Sequence, residues 1–225
     1  MRSASVGTAG AALAGERLAA RVSGQGSAAH PYLSSEVLRR GSDVARDLAD
    51  AVHLLCMLHG RYPGVIDHAA NRSVEAPLRA WFNTATLGFA AERALLARLA
   101  VAAGPMPSTP GAGDNQAAVL GQRHAIEMLA QSERNGCALG AAMAVVLDWA
   151  GVRIVLDAAA RRFGVEPPPY HAADRAEIAA LADDFAQAPA AQRALLFGAE
   201  QILLQHRGLW DLLEARHEAR IAAAA

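Results

Sequence analysis

The 225-residue chain contains no lysine, and all 21 of its basic residues are arginine. That excludes mechanisms built on a Schiff-base lysine or on the lysine of a phosphate-binding P-loop. Cysteine is nearly as scarce. Cys56 and Cys137 stand alone, in apolar helical surroundings and outside any CxxC or zinc-ligand spacing. Two such cysteines read as buried free thiols in a reducing compartment, so the expected location is cytoplasmic. Aromatic residues make up only 5% of the chain, which leaves the core to alanine and aliphatic side chains. No run of about 18 uncharged apolar residues occurs, so no membrane span is expected. Arg2 is followed by no compact apolar core before Glu16 and Arg17, a poor fit to a secretory leader. The net charge is −1, with both signs interspersed, which speaks against a nucleic-acid or anionic-membrane surface. There is no P-loop, no GxGxxG following a strand and no GxSxG elbow.

What is present is helical. Apolar residues reach 53%, much of that alanine, the strongest helix former, against 19% charged residues. No segment alternates with period two, and no internal repeat is visible. The fold class expected is all-α: a helical bundle of about six helices, four of them long, with one long crossover loop. Residues 1–31, rich in Ala, Gly and Ser, are expected as a disordered or loosely attached arm, with at most a frayed helix over 11–22 that Gly24-Gln25-Gly26-Ser27 breaks. Residues 32–221 form the single bundle domain, and 222–225 a short tail.

Apolar residues at helical spacing mark the elements. Val37, Val44, Leu48, Val52 and Leu55 form a stripe along a helix expected over 35–59. Leu78, Trp81, Phe89, Leu96 and Leu99 do so over about 74–103, and Leu196, Ala199, Leu203, Trp210 and Leu213 over 189–221. A shorter helix is expected over 173–186. The Gly/Pro-rich stretch 104–113 is the crossover loop. The organising element is a helix over 115–149, apolar on two sides: Val119, Ile126, Cys137 and Ala144 on one, Met128, Leu139, Met143 and Val146 on the other. A helix of that kind is central, with neighbours on both flanks. A polar strip of Arg123, Glu127, Gln131 and Arg134 runs between them.

The residues with chemical potential are few. Glu92 lies in the middle of an apolar stripe, where a carboxylate must be paired, protonated or metal-bound. The favoured reading is an ion pair with Arg123 or Arg134. Glu133 shares a face with small residues that let another helix approach. His59, at the end of its helix, is expected to satisfy carbonyls and the helix dipole. Asp50 and His53, three apart, are expected at the surface. His124 with Glu127, and Glu214 with His217, are each spaced i,i+3 and point two possible ligands the same way.

Glu92, Glu127 or Glu133, and the Glu214-x-x-His217 pair together resemble the donor set of ferritin-like di-iron bundles. Those place one Glu on each of two helices and a Glu-x-x-His pair on each of the other two. Here Glu92 is followed by Leu95 rather than His, the first helix carries no core carboxylate, and His124-x-x-Glu127 runs in reverse order. The resemblance is one of architecture. It implies metal candidates Glu92, Glu127, Glu133, His124, Glu214 and His217, with iron or manganese as cofactor. A heme-oxygenase-like bundle would use His59 or His124 as an axial ligand. No cofactor is the primary expectation. The function expected is non-catalytic action through a protein partner or self-association, with no nucleic acid and no membrane. The alternative is a metal- or heme-dependent oxidoreductase.

Overall fold

A computed structural model describes residues 13–109 and 111–224. The described residues are all-α, without strands. The helices are α1 (Ala14–Gln25), α2 (Pro31–Ser34), α3 (Val44–His59), α4 (Val65–Arg72), α5 (Ala76–Ala103), α6 (Ala112–Ala130), α7 (Cys137–Phe163), α8 (Arg175–Phe185) and α9 (Pro189–Ala224). Short 3₁₀ turns lie at Ser27–Ala29 and Glu36–Leu38.

The centre of the bundle is α7, not a continuous helix over 115–149. That stretch breaks between Gln131 and Gly136 into α6 and α7. Asn135-Gly136 makes the turn, with Gly136 at φ 99°, a backbone conformation that side-chain-bearing residues disfavour. Two apolar faces on one continuous helix are thus two helices, each with its own orientation. α7 continues through Gly151 to Phe163 and stops at Gly164, φ 68°. α7 is long and apolar enough to cross a membrane by length and composition, although most of that stretch is buried inside the fold. Its widest contact is with α9. Gly140 and Gly198 allow it: a Cβ on Gly140 would sit 1.9 Å from the Leu195 carbonyl oxygen, and one on Gly198 1.9 Å from that of Cys137. The two backbones therefore touch where glycine removes the side chains.

The aliphatic stripes of α3, α5 and α9 are buried as expected, from Leu48, Val52 and Leu55 to Leu203, Trp210 and Leu213. Helix α3 begins at Val44, because residues 36–43 form a 3₁₀ turn and a bend.

The segment expected to be a loose arm differs most from expectation. Residues 1–12 lie outside the described part. From Ala14 on, however, the chain forms α1, with Leu18 and Val22 buried against α8, α9 and α7. The backbone N–H of Gly15 donates to Asp183 Oδ1 at 2.8 Å. The small residues that read as flexible are contact points: a Cβ on Gly15 would lie 2.4 Å from the Ala179 carbonyl oxygen.

Candidate functional site

Four segments converge on a buried polar chain at the heart of the bundle. Ser27 donates to Asp148 twice, from its backbone N–H and from Oγ, each at 2.6 Å. Asp148 Oδ2 lies 2.6 Å from His206 Nδ1, and His206 Nε2 lies 2.8 Å from Nε2 of His59. A carboxylate only accepts, so His206 carries a proton on Nδ1 and donates it to Asp148. At the His59–His206 contact one Nε2 donates and the other accepts. Asp148 comes from α7, His206 from α9, His59 from the last turn of α3, and Ser27 from the turn after α1. All four are buried.

The electrostatics follow from this placement. Burial, joined by the nearby His206, holds the His59 imidazole well below its ordinary pKa, so it stays neutral. Burial pushes the Asp148 carboxyl upward, but the hydrogen bonds from His206 and Ser27 outweigh it and hold Asp148 below the usual carboxylate value. His59 does not cap α3 towards solvent as expected. It turns inward, edge-on to Trp149 (ring centroids 5.4 Å apart) and to Phe89 (6.1 Å).

On its other side His59 lines a cavity of about 30 Å³. Arg61, His68, Phe89, Arg123 and Glu127 share that wall. Arg61 and Arg123 both approach Glu127 Oε1, at 3.6 and 3.5 Å. The Arg123 atom facing Glu127 is its buried Nε, which makes this ion pair without a hydrogen bond. A wider open groove of about 1000 Å³ lies on the far side of α5 and α7, lined by Arg98, Arg153, Arg161, Tyr170 and the Pro167–Pro169 segment. Burial lifts the Tyr170 hydroxyl there to about 12.

Glu92 is buried and ion-paired, but its partner is neither Arg123 nor Arg134. Arg153 of α7 donates to Oε1 at 2.6 Å, and the indole N–H of Trp149 donates to Oε2 at 2.9 Å. Arg123 stands on α6, and Arg134 lies in the turn after it, with its guanidinium 5.1 Å from the Phe197 ring. Glu133 sits exposed in that same turn, and His124 is exposed on α6, 3.9 Å from Glu127. His217 Nδ1 donates to Asp47 at 3.0 Å. Glu214 is half-buried on α9, near His30 and Asp211. Of the six candidates His124 and Glu127 stand side by side, but the set does not converge, and Glu92 meets none of the other five.

Besides the Ser27–Asp148–His206–His59 chain, two polar groupings escaped the sequence reading. Asp50, expected at the surface, is fully buried. It accepts both Nε (3.0 Å) and Nη2 (2.7 Å) of Arg216, and also pairs with Arg220, which reaches Asp47 as well. Burial raises the Asp47 carboxyl despite the opposing pull of Arg220 and His217. The second grouping is His30, Asp211 and Glu214, whose donor atoms lie within 4.8 Å of one another. Its hydrogen bonds do not suit a metal on His30. Nδ1 accepts the backbone N–H of Tyr32, so the ring proton sits on Nε2 and points at Asp211, 2.9 Å away. Metal-bound imidazoles have the opposite arrangement, with the second nitrogen donating. No spacing rule could have found either grouping, since His30 and Asp211 are separated by 181 residues.

The outer face of α5 is unlike the rest of the surface. Between Ala80 and Ala97 its exposed side chains are Asn83, Thr84, Leu87 and alanines, with Gly88 among them, and none is charged. The two charged residues of that stretch turn inward. Glu92 meets Arg153, and Arg93 meets Asp67 of α4 at 2.9 Å. Leu87 is 74% exposed.

The chain matches, over residues 22–221, the model of a family described as a family of unknown function (DUF6975), and it belongs to that family. No curated protein and no solved structure matches it.

Proposed function

We propose that this member of the family acts without catalysis, by association, and that its partner is a second copy of the same chain docked on α5. The observation that carries the reading is the charge-free stretch from Ala80 to Ala97 on the outer face of α5, centred on Leu87 and Gly88 and flanked by the exposed Arg79 and Arg98. Unpaired apolar helix faces of this length mark interaction sites more often than bare surface. The small side chains would let a second helix come close, as Gly140 and Gly198 do between α7 and α9. A self-complementary patch of this kind suits a two-fold dimer, in which the same residues meet on both sides. The free thiols Cys56 and Cys137 support a reducing, cytoplasmic setting.

The alternative, an oxidoreductase using iron, manganese or heme, gains less support. Its key carboxylate, Glu92, has both oxygens occupied by Arg153 and Trp149. Sedimentation equilibrium tests the association reading. The native chain of 23.5 kDa should run at twice that mass, and Leu87→Glu should return it to one chain. A native chain that stays monomeric at every concentration would overturn it.

A further inference from the structure

The exposed side of α5 carries a second periodicity, apart from the one that buries its core face. Ala80, Leu87, Ala94 and Val101 recur every seven residues along it. Ala76, Asn83, Ala90 and Ala97, each four residues earlier, form a second series. All of these positions are exposed and none is charged. Leu87 and Val101 stand furthest out, 74% and 83% exposed. Alternating steps of four and three residues trace the seam of a coiled coil, and α5, with 28 residues, is long enough to carry one.

We infer that the two copies of α5, in the dimer proposed above on which this inference rests, pair antiparallel as a two-stranded coiled coil, with Leu87 of each copy facing Ala90 of the other.

The sizes of the side chains select this arrangement. In an antiparallel pair, residues of one series face residues of the other. Leu87 then meets Ala90 of the second copy, Val101 meets Ala76, Ala80 meets Ala97, and Ala94 meets Asn83. No layer holds two large aliphatic side chains, so the helix axes keep one close separation along the whole seam. In a parallel pair each residue faces its own copy. Leu87 would meet Leu87 and Val101 would meet Val101, with alanine against alanine between them. No single axis separation closes all of those layers.

The charges agree with the antiparallel choice. Arg79 directly precedes Ala80 and Arg98 directly follows Ala97, so the two flank the seam on opposite sides. Antiparallel pairing brings like flanks together, and Arg98 of one copy does not face Arg79 of the other. The seam is thereby complementary to itself, as a two-fold contact requires.

Two measurements on the full chain test the register and the orientation. Ala90→Leu sets a leucine against Leu87 of the second copy and should weaken the dimer at least about tenfold in sedimentation equilibrium. Adding Leu87→Ala exchanges large and small within the same layers and should recover most of that loss. An Ala90→Leu dimer as tight as the native one, or no recovery in the double variant, would overturn the register. For orientation, a spin label is placed at Ala102→Cys, exposed and just off the seam, in a Cys56→Ala background, where the remaining Cys137 is buried. The two labels should lie roughly 40 Å apart or more, from a rise of about 1.5 Å per residue on either side of the two-fold axis. A parallel pair would bring them within about 25 Å, a little more than the separation of two packed helices. The short distance would overturn the antiparallel pairing and leave a dimer on α5 standing. A native chain that is monomeric at every concentration would overturn both.

Discussion

Glu92 and Arg153 close a buried ion pair between α5 and α7, with Oε1 and Nη1 2.6 Å apart. The same guanidinium donates from Nε to Asp157 at 2.7 Å and from Nη2 to the Pro168 carbonyl at 2.6 Å. One arginine thereby joins the central helix to α5 and to the segment leading into α8, while keeping Glu92 off the outer face of α5.

Removing Glu92 leaves that guanidinium buried and without its main counter-charge. Because Asp157 still pairs with Arg153 at 2.7 Å, Glu92→Ala is expected to cost less than the roughly 3–5 kcal/mol of a fully stranded buried charge, about 2–3 kcal/mol. Replacing both partners with aliphatic side chains of similar volume should cost much less. Urea unfolding followed by tryptophan fluorescence separates the two cases, since Trp149 reports on the same pocket.

The pH dependence of stability has a definite sign. His59 is held well below its ordinary value of 6.5 by burial and by His206, so below pH 6.5 the unfolded chain binds a proton that the folded chain does not. Stability from this residue is complete above 6.5 and falls as pH drops from there towards the folded value, by up to about 1.4 kcal/mol per pH unit. Asp148, depressed below 3.8, adds a loss that sets in only below that value. Asp47 acts in the opposite direction, because burial raises it and its protonation on acidification favours the folded state. Unfolding free energies of the native chain and of His59→Gln, measured across pH 5 to 8, should differ in slope below 6.5 and run parallel above it.

Glycines on the two sides of the bundle should respond oppositely to alanine. Gly140→Ala drives a methyl group into the Leu195 backbone and is expected to lose about 1–3 kcal/mol or more. At Gly88 an added Cβ meets nothing within 4 Å. Gly88→Ala should therefore stabilise the monomer by about 0.5–1 kcal/mol through helix propensity. Its added bulk on the α5 face should weaken the dimer. Thermal unfolding and sedimentation read the two effects separately.

Ser27 tests the docking of α1. Ser27→Ala removes one of the two Ser27 donors to the Asp148 carboxylate and should cost about 1.5–3 kcal/mol, as expected for a hydrogen bond to a charged acceptor. Limited proteolysis should cut the variant sooner than the native chain within residues 14–29. Equal rates would mean that the hydroxyl does not hold the segment.

Much of the fold is legible from period and punctuation, which are local properties. The stripe from Leu78 through Leu99 identifies α5 and its buried face, and Pro189 marks the start of α9. The α6–α7 break escapes the period, because a two-sided apolar pattern is common to one central helix and to two helices in sequence, and only the Asn135-Gly136 turn signal separates them. The period also passes over α4, only eight residues long. Glycine and serine near the start of the chain have the composition of a flexible linker, but small size there serves close packing of α1 on α8.

The sequence by itself determined the helical class, the aliphatic core faces and the need for Glu92 to be compensated. Each of these depends on a residue and its near neighbours along one helix. Only the tertiary structure decided which arginine compensates Glu92, that Asp50 is buried, and that His59, His206 and Asp148 form one chain. Glu92 and Arg153 are 61 positions apart, and His59 and His206 are 147 apart. Pairing over such distances is set by how α3, α5, α7 and α9 pack against one another. No helical period records it, because the period shows which face is buried but not what lies across from it.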